Sequence, residues 1–365
     1  MTLKKANLLV DSVKMLLVIV VALALVTGIV LAVSSDPANA LYNFFVGPFL
    51  SLRRIGNIIE GACPLVFTAL AVLLIFRAGQ FSVISEGAFF IGAAIAMAVS
   101  LAVPMPTGIH ALVCIVCAAG AGALVAAVPA VLKKLWGVSE VVTSIMLNYV
   151  VQFFAIYLVT YHFREMESSS LASLKLAETS LLPGILPGTN VHLGVVIALL
   201  MCVVCWFLIH NLRFGYQLRL TGCNPTFAHY VGLKETSIMV GAQVIAGAIA
   251  GMGGGIELLG MYNRFRWTES PGYGWTGIVV ALLAKNNPML VPLAAAFIAY
   301  INTGANIMAM NSDVSSEMAQ VIQGVIMLLI AAGALLQHWR QKLIDQAAEQ
   351  EQAAEQAAAA GQAQG

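Results

Sequence analysis

The sequence predicts an all-α polytopic membrane protein, and three observations support this class. Of the 365 residues, 60% are hydrophobic and only 10% are charged, whereas soluble domains carry roughly a quarter charged residues. The mean hydropathy is +0.90. Apolar runs of membrane-spanning length recur along most of the chain, and water cannot solvate so much apolar surface with so few charges. The predicted environment is therefore a lipid bilayer.

About ten crossings are predicted, because each crossing needs roughly 20 apolar residues. The first run is longer than the apolar region of a signal peptide, about 7–15 residues, so it is interpreted as a retained helix. The run at 274–284 is too short to cross alone, so it is either extended by residues 266–273 or part of a broken helix. The predicted runs are 15–33, 56–77, 84–104, 107–132, 139–161, 191–210, 237–262, 274–284, 289–309 and 317–338.

An even number of crossings places both termini on one side of the membrane. If that side is the cytoplasm, two-thirds of the 18 Lys and Arg residues fall in inner segments, as the positive-inside rule requires. Residues 1–342 are then one transmembrane domain, with an extracytoplasmic loop at 162–190 and a cytoplasmic loop at 211–236. Residues 343–365 form an Ala-, Gln- and Glu-rich tail that has too little apolar bulk to pack, and no function is assigned to it.

Polar side chains within the apolar runs are the candidates for a solute path. An ionised side chain at the centre of a membrane helix costs about 2.5–3.5 kcal/mol on insertion scales, so it usually faces a pore or a partner. Glu257 and Asn148 lie inside such runs. Glu86 and Glu140 each follow a serine at a predicted helix start, where a carboxylate can also cap the helix.

Asn302 and Asn306 lie four residues apart and therefore share one helix face. Thr303 and Gly304, between them, can let the helix break. A broken helix exposes backbone donors and acceptors at mid-membrane depth, which transporters use to bind solutes. This segment is predicted to line a polar translocation path.

A glycine-rich segment is interpreted as a helix-packing surface. Gly247, Gly251 and Gly255 recur every four residues, and small residues at that spacing let two membrane helices approach closely. No strand precedes the segment, and no G-x-x-x-x-G-K-[ST] occurs in the chain, so a nucleotide-binding loop is not predicted.

Enzymatic and metal-binding functions find little support. The chain contains no H-E-x-x-H, and no histidine is tied by spacing to a nucleophile, so no catalytic residue is assigned. Two C-x-x-C pairs, at 114–117 and 202–205, lie inside apolar runs. Cysteine packs there as a small hydrophobe, so no metal site is predicted. The net charge of +1 argues against a nucleic-acid partner, which needs a concentrated basic face.

Four segments occur in the order of a known signature. The first consists of FRAGQF at 76–81 and SEG at 85–87. The others are VVTSIMLNY at 141–149, RFGYQLRLTGCNPTFAHYVG at 213–232 and GYGWTGIVVALL at 272–283. Together they resemble the permease subunits of bacterial ABC importers, in the branch that serves simple sugars and nucleosides. The second segment is more typical of nucleoside-type members, and the resemblance covers roughly residues 55–335.

The sequence also departs from this signature. Ser82, Ile84, Ala88 and Thr276 stand where the family usually has Asn, Gly, Gln and Asp. These positions lie near the predicted path, so the resemblance to the family does not identify the solute of this chain. The candidate solutes are, in order of preference, nucleosides, simple sugars and a flavin-like vitamin, which like a nucleoside joins a flat ring to a hydroxyl-rich chain or sugar.

The resemblance implies partners and a location. Such permeases pair with a second permease, of the same or a similar chain, in the bacterial cytoplasmic membrane. Two cytoplasmic ATPase subunits bind ATP and Mg²⁺, and an extracytoplasmic lipoprotein delivers the solute, so this chain itself needs no cofactor. Part of 211–236 would be the coupling helix that docks on an ATPase.

These arguments define two sets of site residues. The predicted solute path comprises Gln80, Phe81, Glu86, Asn148, Glu257, Asn302 and Asn306. The predicted ATPase-coupling residues are Arg219, Gly222, Asn224, Pro225, Ala228, Tyr230 and Gly232. Two alternatives remain open: an ion-coupled secondary transporter with Glu86 or Glu257 as its proton site, and a membrane receptor or scaffold that transports nothing.

Overall fold

The computed structural model describes residues 24, 27–31, 34–166, 171–325 and 327–329. Within these ranges the regular elements are helices, and the β-structure is limited to two isolated bridges, Arg164–Ser173 and Gly184–His192. The all-α prediction is therefore confirmed for this part of the chain. The predicted first helix at 15–33, the end of the last one at 317–338 and the tail at 343–365 lie largely or wholly outside the described residues.

Most described helices follow one another with short connections, but long segments at 163–193 and 262–272 precede α6 and α10. Short 3₁₀ turns occur at Gly47–Phe49 and Glu178–Ser180, and helical residues continue at 316–325 and 327–329. The α-helices are α1 Pro37–Phe45, α2 Leu52–Arg77, α3 Ile84–Ala102, α4 Ile109–Trp136, α5 Glu140–His162, α6 Gly194–Asn211, α7 Arg213–Cys223, α8 Pro225–Tyr230, α9 Glu235–Met261, α10 Tyr273–Leu283 and α11 Val291–Asn311.

Seven of these helices are long and apolar enough to cross a membrane, namely α2, α3, α4, α5, α6, α9 and α11. Each overlaps one of the predicted runs. Helix α10 has 11 residues, a length of about 16 Å, and residues 262–272 before it are not helical. The helix is therefore not extended through residues 266–272, and the segment 274–284 forms a single short helix. The total of ten crossings and the cytoplasmic position of both termini stay predictions.

The spanning helices alternate between two ends of the bundle. At the first, which we call the coupling end, the turns after α2, α4 and α10 come together through Arg77–Asn286 and Lys133–Glu140 contacts. At the second, the loop end, the segment between α5 and α6 pairs with the segment after α9. The backbone N–H groups of Ser173 and Leu176, between α5 and α6, donate to the carbonyls of Phe265 and Asn263, after α9. This alternation agrees with the order of inner and outer segments that the sequence predicts.

Helix α9 packs against α4 at very short range, as the glycine spacing predicts. A Cβ on Gly251 would lie 2.4 Å from the carbonyl oxygen of Ala118, and one on Gly247 would lie 2.3 Å from the Cβ of Ala126. A Cβ on Gly255 would also meet Ala118, at 2.8 Å. The predicted packing role of these three glycines is therefore confirmed, and α4 is the partner helix.

The predicted break between Asn302 and Asn306 is wrong, because α11 is one continuous helix from Val291 to Asn311. Gly304 serves a different purpose. A Cβ at this position would lie 2.5 Å from the carbonyl oxygen of Phe44, so the glycine allows α1 to pack directly against α11. The two asparagines still share one face, but they offer side chains and not an opened backbone.

The predicted cytoplasmic loop at 211–236 contains two helices, α7 and α8. Pro225 is the first residue of α8, and the Asn224 side chain caps it by accepting a hydrogen bond of 2.9 Å from the backbone N–H of Phe227. Asparagine is a favoured N-cap because its side chain accepts from a backbone N–H that has no partner in the first turn. Proline is favoured at the first helical position because it has no N–H that would need an acceptor there. The helix start predicted at Asn224–Pro225 is confirmed.

Candidate solute cavities and coupling segment

Among the described helices, two cavities contain five of the seven predicted path residues. The first, the Glu86 cavity, has a volume of about 370 Å³ and lies between α3, α5 and the start of α10. Its lining consists of Glu86, Gly87, Phe90, Ile145, Asn148, Tyr149, Gln152, Phe153, Glu269, Ser270, Gly272 and Trp275.

The second, the Glu257 cavity, measures about 460 Å³ and lies between α2, α9 and α11. Its lining consists of Arg53, Asn57, Glu60, Gly61, Leu65, Asn190, Glu257, Met261, Tyr273, Ala299, Asn302, Thr303, Asn306, Ile307 and Met310. Three of the predicted path residues, Glu257, Asn302 and Asn306, are thus brought together here.

The Glu257 cavity contains two oxygen atoms that have no hydrogen-bond partner among the described residues. Glu257 is 1% exposed, and its Oε2 atom has no hydrogen-bond partner among the described residues. The Oδ1 atom of Asn302 is likewise buried and unpaired within the described ranges. Buried polar atoms are almost always satisfied, so these two acceptors indicate an occupant that donates hydrogen bonds.

Glu60 adds a second carboxylate to this cavity, and the path prediction missed it. It is 3% exposed and lies on α2, with the Asn190 side chain against it. Pro64, four residues later inside the same helix, has no N–H, so the carbonyl of Glu60 lacks its helical donor. An acid followed four residues later by proline in an apolar run is a signal that the sequence offered.

Glu86 differs from Glu257 because both of its carboxylate oxygens accept hydrogen bonds from other residues of the chain. One oxygen accepts from the Ser270 hydroxyl and, at 2.8 Å, from the backbone N–H of Gly272. The other oxygen accepts from the backbone N–H of Gly274. Glu86 borders a cavity, but its chemistry is to hold the first turn of the short helix α10 against α3.

Asn148 also uses its side chain within the protein. Its Oδ1 accepts a hydrogen bond of 3.1 Å from the N–H of Gly87, and its Nδ2 donates to the carbonyl of Val83 at 3.0 Å. These bonds join α5 to the beginning of α3. Asn148 lines the Glu86 cavity, and its predicted contact with a solute stays a prediction.

Gln80 and Phe81 line neither of these cavities. They lie in the turn between α2 and α3 at the coupling end. Phe81 is 46% exposed and stacks on Phe76 with ring centroids 5.7 Å apart. The structure places both residues beside the coupling segment, so it gives no support to their predicted place on the solute path.

Next to the Glu257 cavity, three potential metal-ligand atoms from Cys63, His192 and Glu257 lie within 4.8 Å of one another. Burial lowers the pKa of His192, in the loop before α6, to about 4, so its ring is neutral. The backbone N–H of Gly194 donates to Nδ1 at 3.1 Å. The ring proton therefore lies on Nε2, and that nitrogen offers a donor and no lone pair for a metal.

Helices α7 and α8 form the coupling segment, and they present aromatic side chains away from the bundle. Tyr230 is 84% exposed, Tyr216 61% and Phe227 51%. Ala228 is completely buried, so it anchors α8, whereas Tyr230 is free to contact a partner. Gly232 has φ +84°, a conformation that glycine adopts readily and that lets the chain turn after α8.

Gly222 lies in close contact with the end of α2. A Cβ at this position would lie 2.1 Å from the carbonyl oxygen of Arg77. The other predicted coupling residues divide by exposure. Asn224 and Pro225 are exposed, whereas Arg219 is half-buried. The predicted coupling residues thus have two roles in the structure: the exposed ones are accessible to a partner, and the buried ones pack the coupling segment against the bundle.

The sequence of this chain is similar to those of known transport proteins. Residues 54–331 match the family described as branched-chain amino acid transport system / permease component. The chain is 30% identical to the guanosine ABC transporter permease of Bacillus subtilis over 337 residues, 90% of this chain and 95% of the relative.

Two further relatives cover similar lengths. The glucose ABC transporter permease of Haloferax volcanii is 28% identical over 334 residues, 89% of this chain and 88% of the relative. The nucleoside ABC transporter permease of Lactococcus lactis subsp. cremoris is 27% identical over 332 residues, 88% of this chain and 91% of the relative. No solved structure matches the chain.

The ordered signature segments, the spanning helices and the family match over most of the chain lead to one assignment. This multi-pass membrane protein belongs to the permease components of the branched-chain amino acid transport system family, and within it to the ABC transporter permeases for sugars and nucleosides.

Proposed function

We propose that this chain is one half of the pore of an ABC importer for a neutral, hydroxyl-rich solute, with nucleosides as the first candidates. The observation that carries the proposal is the Glu257 cavity. Its two unpaired buried acceptors, on Glu257 and Asn302, require donors from an occupant. Sugar and ribose hydroxyls are such donors.

The charge of the cavity narrows the solute class. The acidic side chains of Glu60 and Glu257 line it and are buried, whereas Arg53, the one cation in its lining, is exposed, so a phosphate or carboxylate group would meet acidic side chains inside the cavity. Relatives of this chain are named for glucose, guanosine and nucleosides, which share neighbouring hydroxyls on a ring. A nucleoside leads, a simple sugar follows, and a flavin-like vitamin, which carries a polyol, is third.

The second half of the pore is a second permease, of the same or a similar chain. Asn306 is exposed on the membrane-spanning helix α11, at the edge of the Glu257 cavity. Polar side chains are costly against lipid and usually face a water-filled path or another helix. By contrast, Phe153 and Tyr157 on α5 are exposed apolar or aromatic side chains that suit lipid.

Energy comes from separate ATPase subunits that bind ATP and Mg²⁺, since the chain has no phosphate-binding loop of its own. These subunits dock on the exposed aromatic side chains of the coupling segment, because large aromatic residues are typical anchors of protein interfaces. The coupling end then faces the cytoplasm. The loop end faces outwards in the cytoplasmic membrane, where a lipoprotein delivers the solute.

The test is uptake into proteoliposomes that contain this chain, its companion permease, the ATPases and the binding lipoprotein. We expect ATP-dependent accumulation of a radiolabelled nucleoside, competition by other nucleosides and weak competition by nucleotides. Vesicles that lack only this chain should accumulate nothing. Equal accumulation without the chain would contradict the proposal and favour a receptor or scaffold.

The same vesicles separate the importer from an ion-coupled carrier. Collapsing the proton gradient at constant ATP should leave the initial uptake rate unchanged. Deletion of residues 224–228, or Gly232→Trp, should stop uptake while the chain still inserts into the membrane. Full transport by the deletion variant would show that α8 does not transmit the energy of ATP hydrolysis.

A further inference from the structure

Arg77 makes an unusual connection at the coupling end. It is the last residue of α2, and its Nε and Nη2 atoms both donate to the backbone carbonyl of Asn286, at 3.2 and 2.7 Å. Asn286 and Lys285, in the turn between α10 and α11, have φ values of +53° and +51°. Side chains disfavour this region of backbone conformation, so the turn is held in a shape that its sequence alone does not prefer.

The coupling segment meets α2 at the same point. A Cβ on Gly222 would lie 2.1 Å from the carbonyl oxygen of Arg77. Gly79, with φ +70°, faces Gly222 from the other side, and a Cβ on it would lie 3.0 Å from the carbonyl oxygen of Gly222. The end of α7 is therefore in direct contact with the backbone of Arg77.

The turn that follows Arg77 is also tied to α5. The backbone N–H of Phe81 donates to the Glu140 carboxylate at 3.4 Å, and the N–H of Val83 donates to the Ser144 hydroxyl at 3.2 Å. Glu140 is in turn paired with Lys133 at the end of α4. These contacts fix one side of the turn while the coupling segment contacts the other.

The helices joined by Arg77 are the walls of the Glu257 cavity. Helix α2 carries Glu60, about 25 Å along its axis from Arg77. Helix α11, which begins just after the turn that Arg77 holds, carries Asn302. A packed helix moves as a rigid element, so a displacement at its end is carried along its length.

We propose that Arg77 is a positioning residue for transport. It couples α2 to the α10–α11 turn so that a movement of the coupling segment, transmitted through Gly222, shifts both walls of the Glu257 cavity together. The proposal rests on the proposed function of the chain as an ATP-driven permease. Arg77 touches no solute, and it acts through the two helices that do.

The test compares Arg77→Lys with wild-type in the reconstituted complex. Lysine keeps the charge but cannot make the two-pronged contact with the Asn286 carbonyl. We expect ATP hydrolysis to stay within about twofold of wild-type while uptake falls at least tenfold, so that the solute moved per ATP falls at least about fivefold. Arg164→Lys, the same exchange at an exposed position of the loop end, should leave this ratio unchanged.

Two further variants keep the test decisive if Arg77→Lys does not assemble. Gly222→Ala should push the coupling segment away from Arg77 and lower the ratio. Asn286→Gly keeps the carbonyl and relieves the backbone, so it should retain the ratio. An unchanged ratio in both Arg77→Lys and Gly222→Ala, or a parallel loss of hydrolysis and uptake in either, would overturn the proposal. Failure of the wild-type complex to take up solute would overturn the proposed function instead.

Discussion

Glu86 and Glu257 are both buried glutamates on membrane-spanning helices, yet their surroundings are opposite. Glu86 accepts from one hydroxyl and two backbone N–H groups. Glu257 has an oxygen with no partner among the described residues, and it faces a cavity of about 460 Å³. Both oxygens of Glu86 therefore already accept hydrogen bonds within the protein, whereas Glu257 has an oxygen that accepts none among the described residues.

The comparison separates a structural acid from a functional one. Helix α10 is too short to span the bilayer, and its first N–H groups need acceptors. Glu86 supplies them from α3, and so positions Tyr273, which lines the other cavity. The unpaired oxygen of Glu257 is costly in the empty protein, and that cost is recovered only when an occupant donates to it.

The largest expected effect is on stability, from Glu86→Ala. The substitution leaves the N–H groups of Gly272 and Gly274 without an acceptor, and each such buried group costs about 1–3 kcal/mol. We expect the free energy of unfolding in detergent to fall by about 2–5 kcal/mol, measured by thermal or denaturant unfolding. Glu86→Gln, which keeps one acceptor oxygen, should lose less. A fully stable alanine variant that has lost only uptake would instead make Glu86 a solute residue.

The second expected effect concerns pH and His192, next to Glu257. Burial lowers the pKa of His192 from 6.5 to about 4, so the folded protein excludes a proton that the unfolded chain binds. Stability should therefore fall as the pH drops from about 6.5 to about 4, by up to about 3 kcal/mol, and the contribution should be constant above and below that window. His192→Gln should remove this part of the pH dependence. An unchanged profile would mean that His192 has the same pKa in the folded and the unfolded chain, and a dependence of the opposite sign would mean that Glu257 holds His192 in its charged form.

The sequence predicted the helices far better than it predicted the chemistry of each acid. Apolar runs mark spanning helices because the length of a run is set by the bilayer, and the seven long helices agree with them. The partners of Glu86 come from residues 270–274, far away in the chain, so no local pattern reveals that its carboxylate is occupied. The sequence distinguishes the two acids only by their positions, since Glu86 follows Ser85 at a predicted helix start and Glu257 lies inside an apolar run.

Local patterns also failed where glycine has more than one use. Gly304, between two asparagines, suggested a break in α11, but the residue lies against the carbonyl of Phe44. The spacing of Gly247, Gly251 and Gly255 predicted packing correctly because three residues on one face leave less choice. A single glycine in a helix does not say whether it serves flexibility or close approach.

The third expected effect is on uptake, from Glu257→Gln. The amide replaces one of the two carboxyl oxygens with a donor nitrogen, while the volume is nearly unchanged. We expect the KM for uptake to rise about tenfold or more, which corresponds to about 1.4 kcal/mol, with no loss of stability because Oε2 has no hydrogen bond within the described residues to lose. Initial uptake rates in proteoliposomes over a range of nucleoside concentrations give KM and kcat separately. A destabilised variant with unchanged KM would place Glu257 in the same structural class as Glu86.

The smallest expected effect distinguishes two asparagines on the same face of α11. Asn302 has an unpaired buried Oδ1 atom, whereas Asn306 is exposed and can be satisfied by water. Asn302→Ala should therefore raise KM by about fivefold, since a neutral hydrogen bond contributes about 1 kcal/mol, and Asn306→Ala should raise it less than twofold. Both measurements use the same vesicles and solute, so assembly is the common control. Equal effects at the two positions would show that the solute contacts the whole face, and that an unpaired atom does not by itself identify the residue that binds.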